Sequence, residues 1–372
     1  MNRQFDYQQE LDALHFTQEQ KAAIAARAAQ AAQAQMAQKK QHRPVWRTAA
    51  IAAALAVVLA VGAGASGVLR SAAEVLGPIF GASSAQTEII DKIGYPVGAS
   101  DTDNGITITA EAVMGDRYNA AIVYTVCRDD GTALLPDGIS AESLLVRGGG
   151  TDVQILGGSH GGSWFVDEVP GDDRIQIVQT VSSDQELIGA GATAEFENLY
   201  WWDEGKGESV PVLEGHWKFR FDLDYEDSAF TLDGGQTFAQ NGMTFTIDEI
   251  TLSPVAIKVD YTVDQEVEWS NSGSGQMNDE DQTAMERYFE NVEILLTKTD
   301  GTVVDFSGAG GSVSPQDGTT VCSKGTVFSQ IIPVEEMASL SVGGVAFSLK
   351  AKRSEEHTSE LQSPSYLVCR LL

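Results

Sequence analysis

Asn104 to Val126 reads NGITITAEAVMGDRYNAAIVYTV, and Asn241 to Val263 reads NGMTFTIDEITLSPVAIKVDYTV. Aligned without gaps at an offset of 137 residues, the two stretches are identical at seven of 23 positions, and Glu111/Asp248 and Val113/Ile250 are similar. That offset is a domain length, too long for a solenoid repeat. Each stretch opens on alternating residues, as in Ile106-Thr107-Ile108-Thr109, the period of two that marks a half-buried strand. A second strand follows at Ala120–Val126, joined through Gly115-Asp116. Two related β domains in tandem are therefore expected.

Outward from these pairs, further strand patterns occupy Asp152–Leu156, Arg174–Val181, Ala194–Leu199 and Gly215–Leu223 in the first unit. The second offers Val292–Lys298, Gly301–Phe306, Gly325–Pro333 and Val345–Lys350, with a helix over Asp279–Tyr288. About seven short strands per unit, separated by Gly- and Asp-rich turns, suggest an immunoglobulin-like sandwich. The expected boundaries are 104–230 and 231–352. Residues 71–103 read as a juxtamembrane connector punctuated by Gly77-Pro78 and Gly94-Tyr95-Pro96, with a short helix near Thr87–Ile93.

Charge divides the chain. It carries a net charge of -29 over 372 residues, yet residues 1–47 hold seven basic against four acidic residues, and residues 71–352 hold fourteen against forty-six. Phosphates would be repelled by the acidic part, which excludes nucleic acid as its partner. Between the two regions lie 22 uncharged residues, Thr48 to Leu69, flanked by Arg47 and Arg70. At 1.5 Å per residue they reach about 33 Å, the thickness of a hydrocarbon core. A transmembrane helix is expected over 47–70. Lys39, Lys40, Arg43 and Arg47 on its N-terminal side place residues 1–46 in the cytoplasm and the acidic part outside. Residues 1–46 themselves read as helical: Thr17-Gln18-Glu19-Gln20 is a capping box, and ten of the sixteen residues from Ala22 to Ala37 are alanine. With only Ile24 and Met36 as large apolar residues, that helix is either a solvated rod or a surface for a partner.

Several motifs invite chemistry and are set against simpler readings. Gly62-Ala63-Gly64-Ala65-Ser66-Gly67 fits the dinucleotide pattern but follows no strand. Gly157-Gly158-Ser159-His160-Gly161 fits the nucleophile elbow, which requires a strand-to-helix turn, and the residues after it read as strand. Acidic clusters at Asp101/Asp103/Asn104, Asp222/Asp224/Glu226/Asp227 and Asn278–Asp281 suggest calcium, but none completes a calcium loop, and a solvated surface is the simpler account. Tyr200-Trp201-Trp202 is either a ligand patch or edge packing. Cys127 and Cys322 are isolated thiols or an inter-domain disulfide. No residue is assigned a catalytic, cofactor-binding or metal-ligating role, and no cofactor is expected. The chain does not read as an enzyme.

The order of an Ala/Gln-rich helix, one span, a connector, the NGITIT…YTV pair and then Gly215-x-Trp217-x-Phe219-x-Phe221 resembles a bacterial membrane-anchored family, domain of unknown function forty-one seventy-nine. Its members are often described as anti-sigma-factor-like. The resemblance covers roughly residues 10–350 and implies a single-pass architecture; it implies no activity. Zinc-type anti-sigma domains carry a His/Cys cluster in the cytoplasm, and residues 1–46 contain no cysteine. Two readings follow. In one, a cell-envelope protein senses or binds an extracellular ligand, and residues 1–46 hold a sigma factor or another cytoplasmic protein. In the other, it is an anchored structural or adhesive module.

The strand pattern stops at Lys352. Arg353 to Ser363, RSEEHTSELQS, resembles the in-frame translation of a short-read sequencing adapter, so residues 353–372, with His357 and Cys369, read as a sequence artefact.

Overall fold

A computed structural model of the chain describes residues 70–349, apart from 147, 204 and 271–276. The helix expected over 1–46, the apolar stretch 48–69, Cys369 and the tail 353–372 lie outside the described residues. The chain is mainly β, but the expected fold class needs one correction. Among the described residues no helix is long and apolar enough to cross a membrane. The segment expected to connect a span to the β region is also no loose connector. It forms α1 (Ala72–Phe80), α2 (Ser84–Ile93) and the first strand, β1 (Tyr95–Asp103).

Both helices start with a full capping box, Ser71 with Glu74 and Ser83 with Gln86. Pro78 lies inside α1 and has no N–H to give the carbonyl one turn back. That carbonyl, on Glu74, instead accepts from the Arg70 guanidinium at 2.8 Å. The helix survives its proline because a side chain takes over the missing donor.

The repeat folds twice into the same frame. In the first unit β1, β2 (Ile106–Gly115) and β3 (Asn119–Arg128) form an antiparallel meander. Two short strands follow, β4 (Leu144–Leu145) and β5 (Gly148–Val153), then β6 (Ser159–Val166) and β7 (Arg174–Ser183). The long hairpin β8 (Gly191–Asp203) and β9 (Glu208–Asp222) completes the unit. One sheet runs β1-β2-β3-β7-β6; in the other, β4 and β5 pair one edge of β8 and β9 pairs the opposite edge.

The second unit repeats this. An edge made of β10 (Phe230–Asp233) and β11 (Thr237–Gln240) pairs β12 (Met243–Leu252), which continues through β13 (Ala256–Val263) to β17 (Thr319–Val327) and β16 (Gly310–Gln316). Its second sheet runs β15 (Val303–Asp305), β14 (Ile294–Lys298), β18 (Met337–Val342), β19 (Val345–Ser348). A helix, α3 (Asp279–Met285), and one π turn (Glu286–Glu290) precede β14. In each unit the chain crosses between sheets after the second strand of the repeated pair, in the manner of a Greek-key sandwich.

The correspondence extends to single residues. Asn104-Gly105 and Asn241-Gly242 close the first hairpins with positive φ at both positions, 50° and 71° in one, 52° and 74° in the other. Each ladder slips once, between Ala110 and Ala112 and between Ile247 and Glu249, so Glu111 and Asp248 sit at equivalent bulges. Tyr124 faces Ala110 and Tyr261 faces Ile247, and both rings are fully buried.

Each unit has its own core between its two sheets. Ile108, Tyr124 and Ile177 meet Phe196 and Trp217 in the first; Phe245, Ile247 and Tyr261 meet Ile294 and Leu340 in the second. A third cluster joins them. The outward residues Ala112, Met114, Ala121, Val123 and Val178 of the first sheet are covered by Val75, Leu76 and Phe80 of α1 and Ile90 of α2, and by Val255, Ala256 and Ile331 of the second unit. This explains why β3 is buried on both faces, a pattern otherwise typical of central strands.

Polar contacts complete the joint, and several link equivalent elements. Asp116 in the β2–β3 turn accepts from Ser253, its repeat counterpart, at 2.7 Å. Lys258 lies over the Tyr118 ring, 4.8 Å from its centre, and the His160 ring nitrogen is 3.1 Å from the Gly325 carbonyl. That ring fits because position 310 has no side chain: a Cβ there would stand 2.6 Å from His160 Cδ2. Gly310→Ala should therefore cost about 1–3 kcal/mol through overpacking, and much less in a His160→Ala background. Urea unfolding of the four proteins checks this; equal costs in both backgrounds would refute it.

Candidate functional site

The two long sides of the first sandwich are finished differently. On one side β1 and β9 are stitched by side chains: Asp101 accepts from the Lys218 N–H at 2.8 Å, Asp103 from the His216 N–H at 2.9 Å, and Asn104 donates to the Glu214 carbonyl at 3.1 Å. The cluster that suggested calcium thus satisfies a sheet edge. The other side, between β5 and β6, carries the glycines of both strands. A cavity of about 270 Å³ opens there beside His160, Gly161 and Gly162. It shares Gly150 and Thr151 with a larger groove of about 680 Å³ that lies across β5, β8 and β9.

The groove is shaped by missing side chains. Gly149 has φ +97°, and a Cβ on it would meet the Glu195 carbonyl oxygen at 1.8 Å, so no other residue fits. Asp152 further along the same strand and Thr193, Glu195, Glu197, Lys218 and Arg220 beside it complete the lining. Alternation places them: Trp217, Phe219 and Phe221 turn into the core, which leaves Lys218 and Arg220 on the outer face. Glu195 is held by Lys218 at 2.5 Å and His216 at 2.9 Å. Those two hydrogen bonds, that of Lys218 the larger, keep its carboxyl below the ordinary value. Beneath the groove, the Tyr124 hydroxyl meets Thr151, whose own hydroxyl donates to Gln179 Oε1 at 2.5 Å. The arrangement offers donors and acceptors of both charges along a concave strip, with the Tyr124 and Thr151 hydroxyls already engaged. Such a strip can hydrogen-bond a polar, extended molecule.

The residues singled out from the sequence end up elsewhere. Ser159, His160 and Gly161 lie within β6, in extended backbone, so the nucleophile-elbow pattern has no elbow. Asp227 pairs with Arg117 at 2.9 Å, while Asn278 caps α3 and Asp281 accepts from Ser270. Along β8, Trp201 packs against the core and Trp202 is exposed. Cys127 and Cys322 are both free, so the disulfide alternative falls. Burial pushes the Cys127 thiol up to about 11 and the Cys322 thiol up to about 12. Native Cys322 should therefore react with a thiol reagent at pH 8 at least about tenfold more slowly than in urea, since the thiolate is the nucleophile. Equal rates would overturn this. Among the described residues no group of three or more His, Cys, Asp or Glu is placed to hold a metal ion. Gly149, Glu195, Lys218 and Arg220 went unnoticed in the sequence; the run Gly148-Gly149-Gly150 and the outward alternation of Lys218 and Arg220 were the available signals.

Among curated proteins none matches this chain. A solved structure, the crystal structure of the conserved domain protein from Bacillus anthracis, is similar at 16% identity with a TM-score of 0.43, covering 66% of this chain and 75% of that one. A family model matches residues 40–127, a stretch that ends on β3 at Cys127, one residue past the first copy of the repeat. Over those residues the chain is similar to the family described as Domain of unknown function (DUF4179).

Proposed function

We propose that the paired β units act outside the cytoplasm as a non-catalytic recognition module, and that the groove over β5, β8 and β9 takes a polar extended ligand, a glycan or a peptide. The observation that carries this reading is the concavity itself: three consecutive glycines strip one edge strand bare beside Glu195, Lys218 and Arg220. The charge contrast between residues 1–47 and 71–352 supports the placement. In this reading residues 1–46 contact a protein partner, a sigma factor in its most specific form.

Binding to glycan and peptide arrays tests the reading. The wild-type chain should retain a defined subset, and Glu195→Gln/Lys218→Met/Arg220→Met should weaken that binding about tenfold or more, as expected when ligand hydrogen bonds from charged groups are lost. Binding unchanged by the triple substitution would remove the groove from the proposal.

A further inference from the structure

A second cavity, of about 360 Å³, lies on the opposite sheet of the first unit, beyond the area that α1 covers. Thr125 on β3 and Gln176 on β7 line it and are direct cross-strand partners. Thr125 is 8% exposed and Gln176 7%, yet Thr125 Oγ1 and Gln176 Oε1 have no hydrogen-bond partner. Their neighbours on the same face, Ala121, Val123 and Val178, are apolar and packed under helices. Two adjacent buried polar atoms without partners are unusual, because a bare buried group forfeits its hydration for nothing.

The second unit shows that the fold does not require this. There the equivalent pair is Thr262 and Val321. Thr262 donates to Asp248 at 2.7 Å, and the position across from it is apolar. In the first unit Glu111 stands where Asp248 does, Thr125 is left without a partner, and a glutamine replaces the valine. One copy satisfies the hydroxyl internally; the other leaves it, with an added acceptor, unpartnered on two residues that line a cavity.

The surroundings set the ligand's chemistry. Gln176 Oε1 accepts only, so the ligand must donate. Around the cavity stand the carboxylates of Glu168, Asp172 and Asp173 and the guanidinium groups of Arg70 and Arg174. Arg174 is engaged by Asp173 at 3.0 Å, and Arg70 by the Glu74 carbonyl. Val166 and Ile175 supply apolar wall. We infer that this cavity is a binding site for the primary ammonium group of a small amine, which donates to Gln176 Oε1 and Thr125 Oγ1 with the Glu168 and Asp172 carboxylates as counter-charge. An anion is disfavoured both by the acceptor and by the carboxylates. The site is separate from the β5–β8–β9 groove, and neither inference depends on the other.

Calorimetric titration of the full chain with 1,4-diaminobutane, 1,4-butanediol and succinate tests the assignment, alongside Thr125→Val/Gln176→Leu. The diamine should bind wild type with one saturable site and bind the variant at least tenfold more weakly. Butanediol and succinate should show no saturable binding. The variant keeps every charge, so general attraction of an acidic chain for cations persists in it and does not count as binding at the site. Without ligand the variant should melt no lower than wild type, since it removes two unpartnered polar atoms. A variant that melts lower would show those atoms are satisfied within the fold, and would overturn the proposal. So would diamine binding equal in the two proteins, absent from both, or matched by butanediol or succinate.

Discussion

Asp116→Ala is expected to destabilise the paired units by about 3–5 kcal/mol, the range for stranding several buried donors at once. Asp116 is fully buried. Its Oδ1 accepts from the Tyr118 and Asn119 N–H groups at 3.0 Å each and from Asn119 Nδ2 at 2.9 Å; Oδ2 accepts from Ser253 at 2.7 Å. The same side chain therefore shapes the β2–β3 turn and ties it to the turn that repeats it. Alanine loses both functions, whereas Ser253→Ala should cost about 1 kcal/mol, the worth of one hydrogen bond, because Asp116 keeps its turn contacts. Equilibrium urea unfolding should show one transition for wild type and two separated transitions for Asp116→Ala. A single unshifted transition would sink the idea. Burial raises the Asp116 pKa, opposed by the hydrogen bonds from Ser253, Asn119 and Tyr118. The stability linked to it is therefore present at low pH and lost as pH rises through the raised value. Relative to Asp116→Asn, wild type should gain stability as pH falls toward the ordinary carboxylate range.

The duplication was legible because its signals are local. Two Asn-Gly turns, alternating threonines and a Tyr-Thr-Val ending survive in both copies, and each fixes backbone or register without help from distant residues. Elements whose reasons are tertiary were misread. Gly77-Pro78 looks like a break, but α1 runs through it because Arg70 supplies the donor and the sheet beneath buries Val75, Leu76 and Phe80. Phe328, Ile331 and Ile332 prolong an apolar run past β17, so Gly325–Pro333 reads as one strand; the chain instead leaves the sheet at Val327 to spend those side chains in two different cores. The edge strand β16, Gly310–Gln316, holds two glycines and a proline and gives no alternation to find. The groove was hidden for a related reason. It is assembled from β5, β8 and β9, and its shape comes from glycines, whose contribution is the absence of atoms.

Lys324 exposes the same limit from the opposite direction, since a lysine in a strand reads as solvated and this one is fully buried. Its Nζ donates to the carbonyls of Phe289 at 3.0 Å, Val292 at 3.3 Å and Ser307 at 2.6 Å, and lies 4.6 Å from the centre of the Phe289 ring. Those carbonyls belong to the π turn, to the link between it and β14, and to the loop after β15, segments with no common strand to hold them. The ammonium therefore acts as a three-way tie at one end of the second core. Lys324→Met keeps the stem's volume but leaves three carbonyls without this donor, and should cost about 3–5 kcal/mol, the range for breaking a buried charged network. Burial lowers the Lys324 pKa to about 8 from 10.5. Between those values the unfolded chain holds a proton that the folded chain releases, so stability contributed by this site rises with pH across that window and is fully lost below it. Wild-type stability minus that of Lys324→Met should accordingly be smallest below pH 8 and grow toward pH 10.5. Denaturation measured at pH 7, 9 and 10 gives the slope, and a difference that shrinks with rising pH would show that the carbonyl cage, rather than burial, governs the proton.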